Sequence, residues 1–429
     1  MTDPVTFRVE GGPIDEPAAG EILTFSDATR RAVSGSPRLQ AALARVRIAM
    51  ADADQARLLP NPVLNFVLRW GPSSPQIEVS LVEDFIHALQ TRTRSSAADN
   101  RLRQAAAEAV TEALDVVADV QGSYAQTQVA SRLVASFRSR LELLERITQV
   151  AQSRLAAGEG VLSDVTTLES QRVELEVQLD EAEHVERAER LKLARLIGEP
   201  SGQASWKLDD WSLPQPMSTE EDQWIRTGLQ HRPEIQAVTW KLAALGDEYA
   251  LARLFQWQGA RGGVDIQDPD WFVGPSFSTP LPLFDTGEAR RKRVTSEQIE
   301  ARHELTAAQR QVVEDVRLAY LDLEEGIRHL ARVRDELMPL LERRRQQAER
   351  SYQGGQTDIT PLLLAQQDLR AAESLQIEFE RETSDSLIRL RRAAGGPGVA
   401  AEVMHPTPSS EQSGSSLRSS TSTTAAAGR

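Results

Sequence analysis

The chain repeats itself at half its length. Pro37-Arg38-Leu39-Gln40-Ala41 returns as Pro233-Glu234-Ile235-Gln236-Ala237. Ala56-Arg57-Leu58 returns as Ala252-Arg253-Leu254 at the same offset, about 196 residues. Each copy is followed by a short apolar stretch broken by proline and glycine, then by a very long charged segment. Each long segment runs into a glycine turn, Ala157-Gly158-Glu159-Gly160 in the first copy and Gly354-Gly355-Gln356 in the second. A unit of this length is not a small solenoid repeat. It is a duplicated half-molecule, so the fold must be built twice from one plan.

Aromatics make up 5% of the 429 residues and charged residues 26%, a mix that suits long helices better than a thick globular core. The net charge is −14, and Lys and Arg are interspersed with Asp and Glu, which argues against nucleic acid as a ligand. There is no cysteine, so disulfides, thiolate chemistry, cysteine metal sites and a lipidated cysteine are excluded for this sequence. No apolar run approaches the roughly 20 residues of a transmembrane helix. Met1-Thr2-Asp3-Pro4 opens neither a basic nor an apolar region, so no export signal is expected.

Residues 1–22 are rich in Gly, Pro and acid and are expected to form an irregular arm. Ser26 or Asp27 can cap a helix running to about Leu58, interrupted near Gly35-Ser36-Pro37 and stopped by Pro60 and Pro62. Leu64, Phe66, Leu68 and Trp70 then alternate with Val63, Asn65, Val67 and Arg69. After the turn residues 71–75, Ile77, Val79 and Leu81 alternate with Gln76, Glu78 and Ser80. These are two antiparallel strands of about nine residues, long enough to cross a bilayer when tilted.

From His87 to Ala157 there is no proline, and Leu133, Phe137, Leu141, Leu144, Ile147, Ala151 and Leu155 draw one apolar stripe. A helix of roughly 70 residues is about 105 Å long. A return helix carries Leu168, Leu175, Leu179 and Ala182 to Ile197. The first repeat thus spans 23–198, with its strand pair at 62–84 and its hairpin at 87–197. A linker at 199–218 holds Trp206 and Trp211.

The second repeat spans 219–397, with a strand pair at 262–284 and a hairpin at 286–394. Its first strand, around Gly263-Val264-Asp265-Ile266, is poor in apolar residues. Val316, Leu323, Leu330, Leu337 and Leu341 mark the second stripe, and Pro339 should kink that helix. Residues 398–429 read as a disordered Ser/Thr-rich tail.

The duplication, the strand pairs and the long helices together resemble the TolC-like outer membrane factor family. The residues that carry the resemblance are Ala56-Arg57-Leu58-Leu59-Pro60-Asn61-Pro62, Arg154-Leu155-Ala156-Ala157-Gly158-Glu159-Gly160, and the run from Gly274-Pro275-Ser276 to Pro282-Leu283-Phe284-Asp285. They cover roughly 22–397, and the first half is nearest to subunits of cation or drug efflux systems. The resemblance implies a mainly α fold with a small β part. Duplicated halves of long antiparallel coiled-coil helices would carry four strands into a trimeric twelve-stranded barrel. Leu64, Phe66, Leu68, Ile77, Val79 and Leu81 would face lipid, while Asn65, Glu78 and Ser80 face the lumen.

The implied place is the outer membrane with a periplasmic extension, in a tripartite efflux pump or type I secretion system. The implied partners are two further copies, a periplasmic adaptor and an inner-membrane pump. The adaptor would dock at the tips, on Arg154, Leu155, Gly158, Val161, Tyr352, Gly355, Asp358 and Ile359. The family's pore-narrowing aspartates would fall near Pro361 and Leu364, which are not acidic, with Asp358 and Asp164 close by.

Chemistry is absent from the pattern. No nucleophile elbow, phosphate loop or dinucleotide fingerprint occurs, and the six histidines are scattered. No enzyme, cofactor or metal site is expected. The rival reading is a soluble coiled-coil scaffold, which has no use for lipid-length strands at matching places in both halves. Trp70 and Trp271 fit either an interfacial belt or ordinary loop packing.

Overall fold

Side-chain caps set the starts of the first three helices. The computed structural model describes residues 7, 22–70, 76–198, 204–209, 220–268 and 272–404. The arm before Ile22, the turn 71–75, most of the linker and Trp271 lie outside these residues. A short strand β1 (Ile22–Leu23) precedes α1 (Phe25–Gly35), where the Thr24 hydroxyl accepts from the Asp27 amide at 3.1 Å. Ser36 ends α1 and caps α2 (Pro37–Arg57), so the interruption at Gly35-Ser36-Pro37 is a complete break between two helices. Strands β2 (Val63–Arg69) and β3 (Gln76–Asp84) follow. The Asp84 carboxylate then accepts from the His87 amide at 2.9 Å and starts α3 (Phe85–Ala156), 72 residues long. At 1.5 Å per residue α3 extends about 108 Å. The return helix is α4 (Leu162–Leu196), and β4 (Lys207–Leu208) pairs parallel with β1.

The second half repeats the plan. Helices α5 (Glu221–His231) and α6 (Pro233–Leu254) break at Arg232, with Pro233 in the first turn as Pro37 is in α2. Strands β5 (Arg261–Gln267) and β6 (Phe272–Ser278) lead to α7 (Glu288–Arg332), α8 (Met338–Gln353) and α9 (Thr360–Ala393). A final helix α10 (Pro397–Met404) occupies the start of the segment expected to be a disordered tail. Pro397 at its first position supplies the fixed φ that begins a helix after the Gly395-Gly396 stop.

The kink expected at Pro339 takes the form of a single π turn, Val333–Leu337. Proline has no N–H to give and crowds the carbonyl four residues back, and a wider turn relieves both conflicts. The inserted residue moves the stripe by one position. Val333 is buried and Leu337 turns outward, so Leu337 leaves the expected seam while Tyr352 ends buried further on.

Three clusters hold the helices. Val116, Val120 and Tyr124 of α3 pack with Leu193, Ile197, Leu23 and Trp206, so the linker tryptophan is core. Trp224 packs with Val316, Leu323 and Leu390 in the second half. The third cluster joins both hairpins near their tips and includes Leu144, Ile147, Val165, Leu168, Tyr352, Ile359 and Leu362. Between the clusters, polar contacts stitch the halves along α3. Arg392 meets Asp115 at 2.7 Å, Arg132 meets Glu380 at 2.9 Å, and Arg140 meets Glu373. Higher up, Arg101 meets Glu248 at 2.9 Å.

Candidate functional site: a one-sided sheet and two helical tips

The strands from both halves form one antiparallel sheet in the order β2-β3-β5-β6. Its register settles which side chains share a face. Leu64 lies opposite Leu81, Phe66 opposite Val79 and Leu68 opposite Ile77. Rows continue from Leu81 to Val264 and Pro275, and from Val79 to Ile266 and Val273. All six residues expected on the lipid side therefore stand on one face. Val264, Ile266, Val273, Pro275 and Phe277 extend it across the second half.

Those five residues were not legible as lipid-facing from local pattern. Gly262 and Gly263 interrupt the alternation of β5, and the register with β3 is what aligns its remaining apolar residues. The glycines have a steric cause. A Cβ at Gly262 would stand 2.1 Å from the Phe85 ring, and one at Gly263 would stand 2.1 Å from the Leu81 carbonyl oxygen. The strand is poor in apolar side chains because its lower end lies under a ring and against its neighbour's backbone.

The opposite face holds the polar residues, with Val63, Val67, Val82 and Phe272 among them. Asn65 donates to the Ser80 hydroxyl at 3.3 Å, and Asp265 continues that row. Arg69 meets Glu78 at 2.9 Å. Among the described residues nothing covers the apolar face: Leu64 is 68% exposed and Phe66 62%. Neither β2 nor β6 has a partner on its outer edge among the described residues. A sheet that is apolar on one side, carries its polar residues on the other and is open at both edges suits a segment of a barrel wall in lipid. Among the described residues, no helix is long and apolar enough to cross a membrane.

The two tips are the same turn. The Glu159 amide donates to the Arg154 carbonyl at 2.9 Å, and the Gln356 amide donates to the Ser351 carbonyl at 2.9 Å. Gly158 (φ 79°) and Gly355 (φ 68°) hold the left-handed position that closes each helix. A Cβ at Gly158 would touch nothing within 4 Å, so the backbone angle alone demands glycine there.

The tip residues divide into two groups. Tyr352 and Ile359 are buried in the tip cluster and present no docking surface, because they fill the space between the hairpins. Arg154 is the latch between the tips: its guanidinium donates to the Tyr352 carbonyl at 2.8 Å and lies 4.8 Å over the Tyr352 ring. Burial pushes the Tyr352 phenol above its ordinary pKa, and the Asp164 carboxylate adds to that shift. Leu155 is half-buried, while Gly158, Val161, Gly355 and Asp358 are exposed. Pro361 and Leu364 are exposed as well, in a shallow recess that also contains Asp358, Thr360 and Arg344.

A groove of about 1290 Å³ lies between the hairpins. Its walls are ion-paired with one another: Arg232 with Asp315 at 2.8 Å, and Arg389 with Asp322 at 3.2 Å. No cluster of three or more His, Cys, Asp or Glu side chains could hold a metal ion among the described residues.

Residues 256–396 match the family model described as outer membrane efflux protein. Protein CyaE of Bordetella pertussis is 24% identical over 412 residues, covering 88% of this chain and 85% of that protein. Among solved structures, the outer membrane protein VceC of Vibrio cholerae superposes with a TM-score of 0.72 at 18% identity, over 87% of this chain and 96% of that one. The open state of the Neisseria gonorrhoeae MtrE outer membrane channel gives 0.69 at 15% identity, over 92% and 97%. At these identities the superpositions establish the fold alone, over 87% and 92% of this chain: long helical hairpins carrying a small sheet, as in those outer membrane channels.

Proposed function

We infer, from a chain whose second half carries an outer membrane efflux protein domain, that it works as a channel-tunnel for efflux or secretion. The observation that carries the reading is the one-sided sheet with two free edges, set on helices about 108 Å long. Four strands cannot enclose a lumen, and an unpaired strand edge is not tolerated in lipid. Three copies contribute twelve strands, above the roughly eight of the smallest membrane barrels. The face that carries Asn65, Glu78, Ser80 and Asp265 then lines the pore, and the helices extend it through the periplasm.

The chain itself performs no chemistry in this scheme. A solute is passed, and the energy comes from an inner-membrane pump reached through a periplasmic adaptor. The adaptor would meet the exposed tip residues, Val161 and Asp358 among them. The experiment is to express the chain in a Gram-negative host, separate the two membranes, and record conductance of the purified protein in planar bilayers. Outer-membrane recovery with discrete channel openings is expected. A water-soluble, non-conducting protein would return the reading to a coiled-coil scaffold.

A further inference from the structure

A second apolar surface lies below the sheet, where its strands join the helices. Phe284 is fully exposed, at 100%, and Leu281 and Leu283 are each 74% exposed. On the other side of the same level, Leu58, Leu59, Phe85 and Leu89 are also exposed. Single exposed leucines are ordinary, but seven large apolar side chains at one level of one molecule mark a contact surface.

The topology says what covers it. Strand β2 starts at this foot, at Val63, and β6 ends at it, at Ser278. They are the two free edges of the sheet. When the edge of β6 is closed by β2 of another copy, the pair is antiparallel, as every other pair in the sheet is. Chain leaving β6 then runs beside chain entering β2 of the neighbour. Leu281, Leu283 and Phe284 of one copy come alongside Leu58 and Leu59 of the next.

The segment is also built to make that contact through side chains. Pro280 and Pro282 have no N–H, so it cannot prolong the strand pairing. The Leu283 amide is turned back on the Leu281 carbonyl at 2.8 Å. Two fixed φ angles present the apolar side chains with little freedom left to lose on docking.

We propose that residues 281–284 of each copy form an apolar seal against Leu58 and Leu59 of the adjacent copy, closing the joint between membrane barrel and helical tunnel. The seal rests on the trimeric reading above and adds the residues that make its junction tight to water and solute.

The absence of cysteine makes the test direct. Leu59→Cys is combined in turn with Leu281→Cys and Leu283→Cys, and the purified protein is oxidised mildly in detergent. Within one chain, β2 and β6 are three strand spacings apart, about 14 Å. A disulfide needs its Cα atoms within roughly 7 Å, so a bond reports a contact between copies. The expected result is a covalent trimer on non-reducing gels for at least one pair. Phe284→Ser should lower the temperature at which the trimer dissociates by about 2–4 °C. If the wild type is trimeric by light scattering, neither pair links, and Phe284→Ser dissociates as the wild type does, the seal is wrong and the trimer stands. A wild type that is monomeric in all detergents removes the trimeric reading and the seal together.

Discussion

Replacing Phe66 by arginine tests the sidedness of the sheet most severely. Phe66 is the fourth of the seven residues of β2, with about 10 Å of strand on either side. Its row on the apolar face holds Val79, Ile266 and Val273. A guanidinium there has no carboxylate within its row and sits near the middle of the lipid-facing band. The expected cost is about 2–4 kcal/mol per chain, a loss of roughly 30- to 1000-fold in the folding equilibrium. Asn65→Arg moves the same charge one residue along the strand and onto the other face. There Ser80 and Asp265 share the row, so the cost should stay within about 1 kcal/mol. Urea unfolding of protein reconstituted in vesicles, followed by tryptophan fluorescence, measures both. Equal costs for the two variants would refute the assignment of faces, and with it the barrel.

Other expectations follow from particular contacts. A Cβ at Gly326 of α7 would stand 2.6 Å from the Thr383 hydroxyl oxygen of α9, whereas one at Gly122 of α3 meets nothing within 4 Å. Gly326→Ala should therefore lower the thermal midpoint, and Gly122→Ala should stabilise by about 0.5–1 kcal/mol, both read by circular dichroism. At the tips, Val161→Glu and Asp358→Lys should abolish export in a deletion host while trimer levels stay normal; normal export would remove these residues from any docking role. Arg154→Ala should loosen the latch to Tyr352 by about 1–2 kcal/mol, seen as faster amide exchange in the two tip turns.

Tyr124 supplies a pH test. Its hydroxyl donates to the Leu23 carbonyl at 2.9 Å and accepts from the Asp209 amide at 3.1 Å. Burial pushes the phenol up to about 12, against the pull of the Asp209 amide. A raised folded pKa means its stabilisation is whole below pH 10, the unfolded value, and is lost between about 10 and 12. Tyr124→Phe should be less stable at neutral pH and lose that alkaline fall in a melting series.

The sequence alone determined the duplication, the helical hairpins and the turns between them. These depend on local rules: stripes at helical spacing, Pro60 and Pro62 as stops, Gly158 and Gly355 where only a positive φ closes the helix. It also marked the apolar face of β2 and β3, because a two-residue period is visible within a single strand. Tertiary structure decided what depends on partners distant in sequence. The apolar side of β5 became legible only through its register with Leu81 and Val79, since glycines forced by Phe85 and the β3 backbone hide the alternation. Likewise, Tyr352 and Ile359 stand next to exposed tip residues in sequence yet fill the core between hairpins, because burial there is set by the crossing of four helices. The turn at Pro339 shifted a stripe that simple periodicity carried straight through. Local spacing fixes which residues can share a face; which faces meet, and which remain bare, follows from how the two halves are laid against each other.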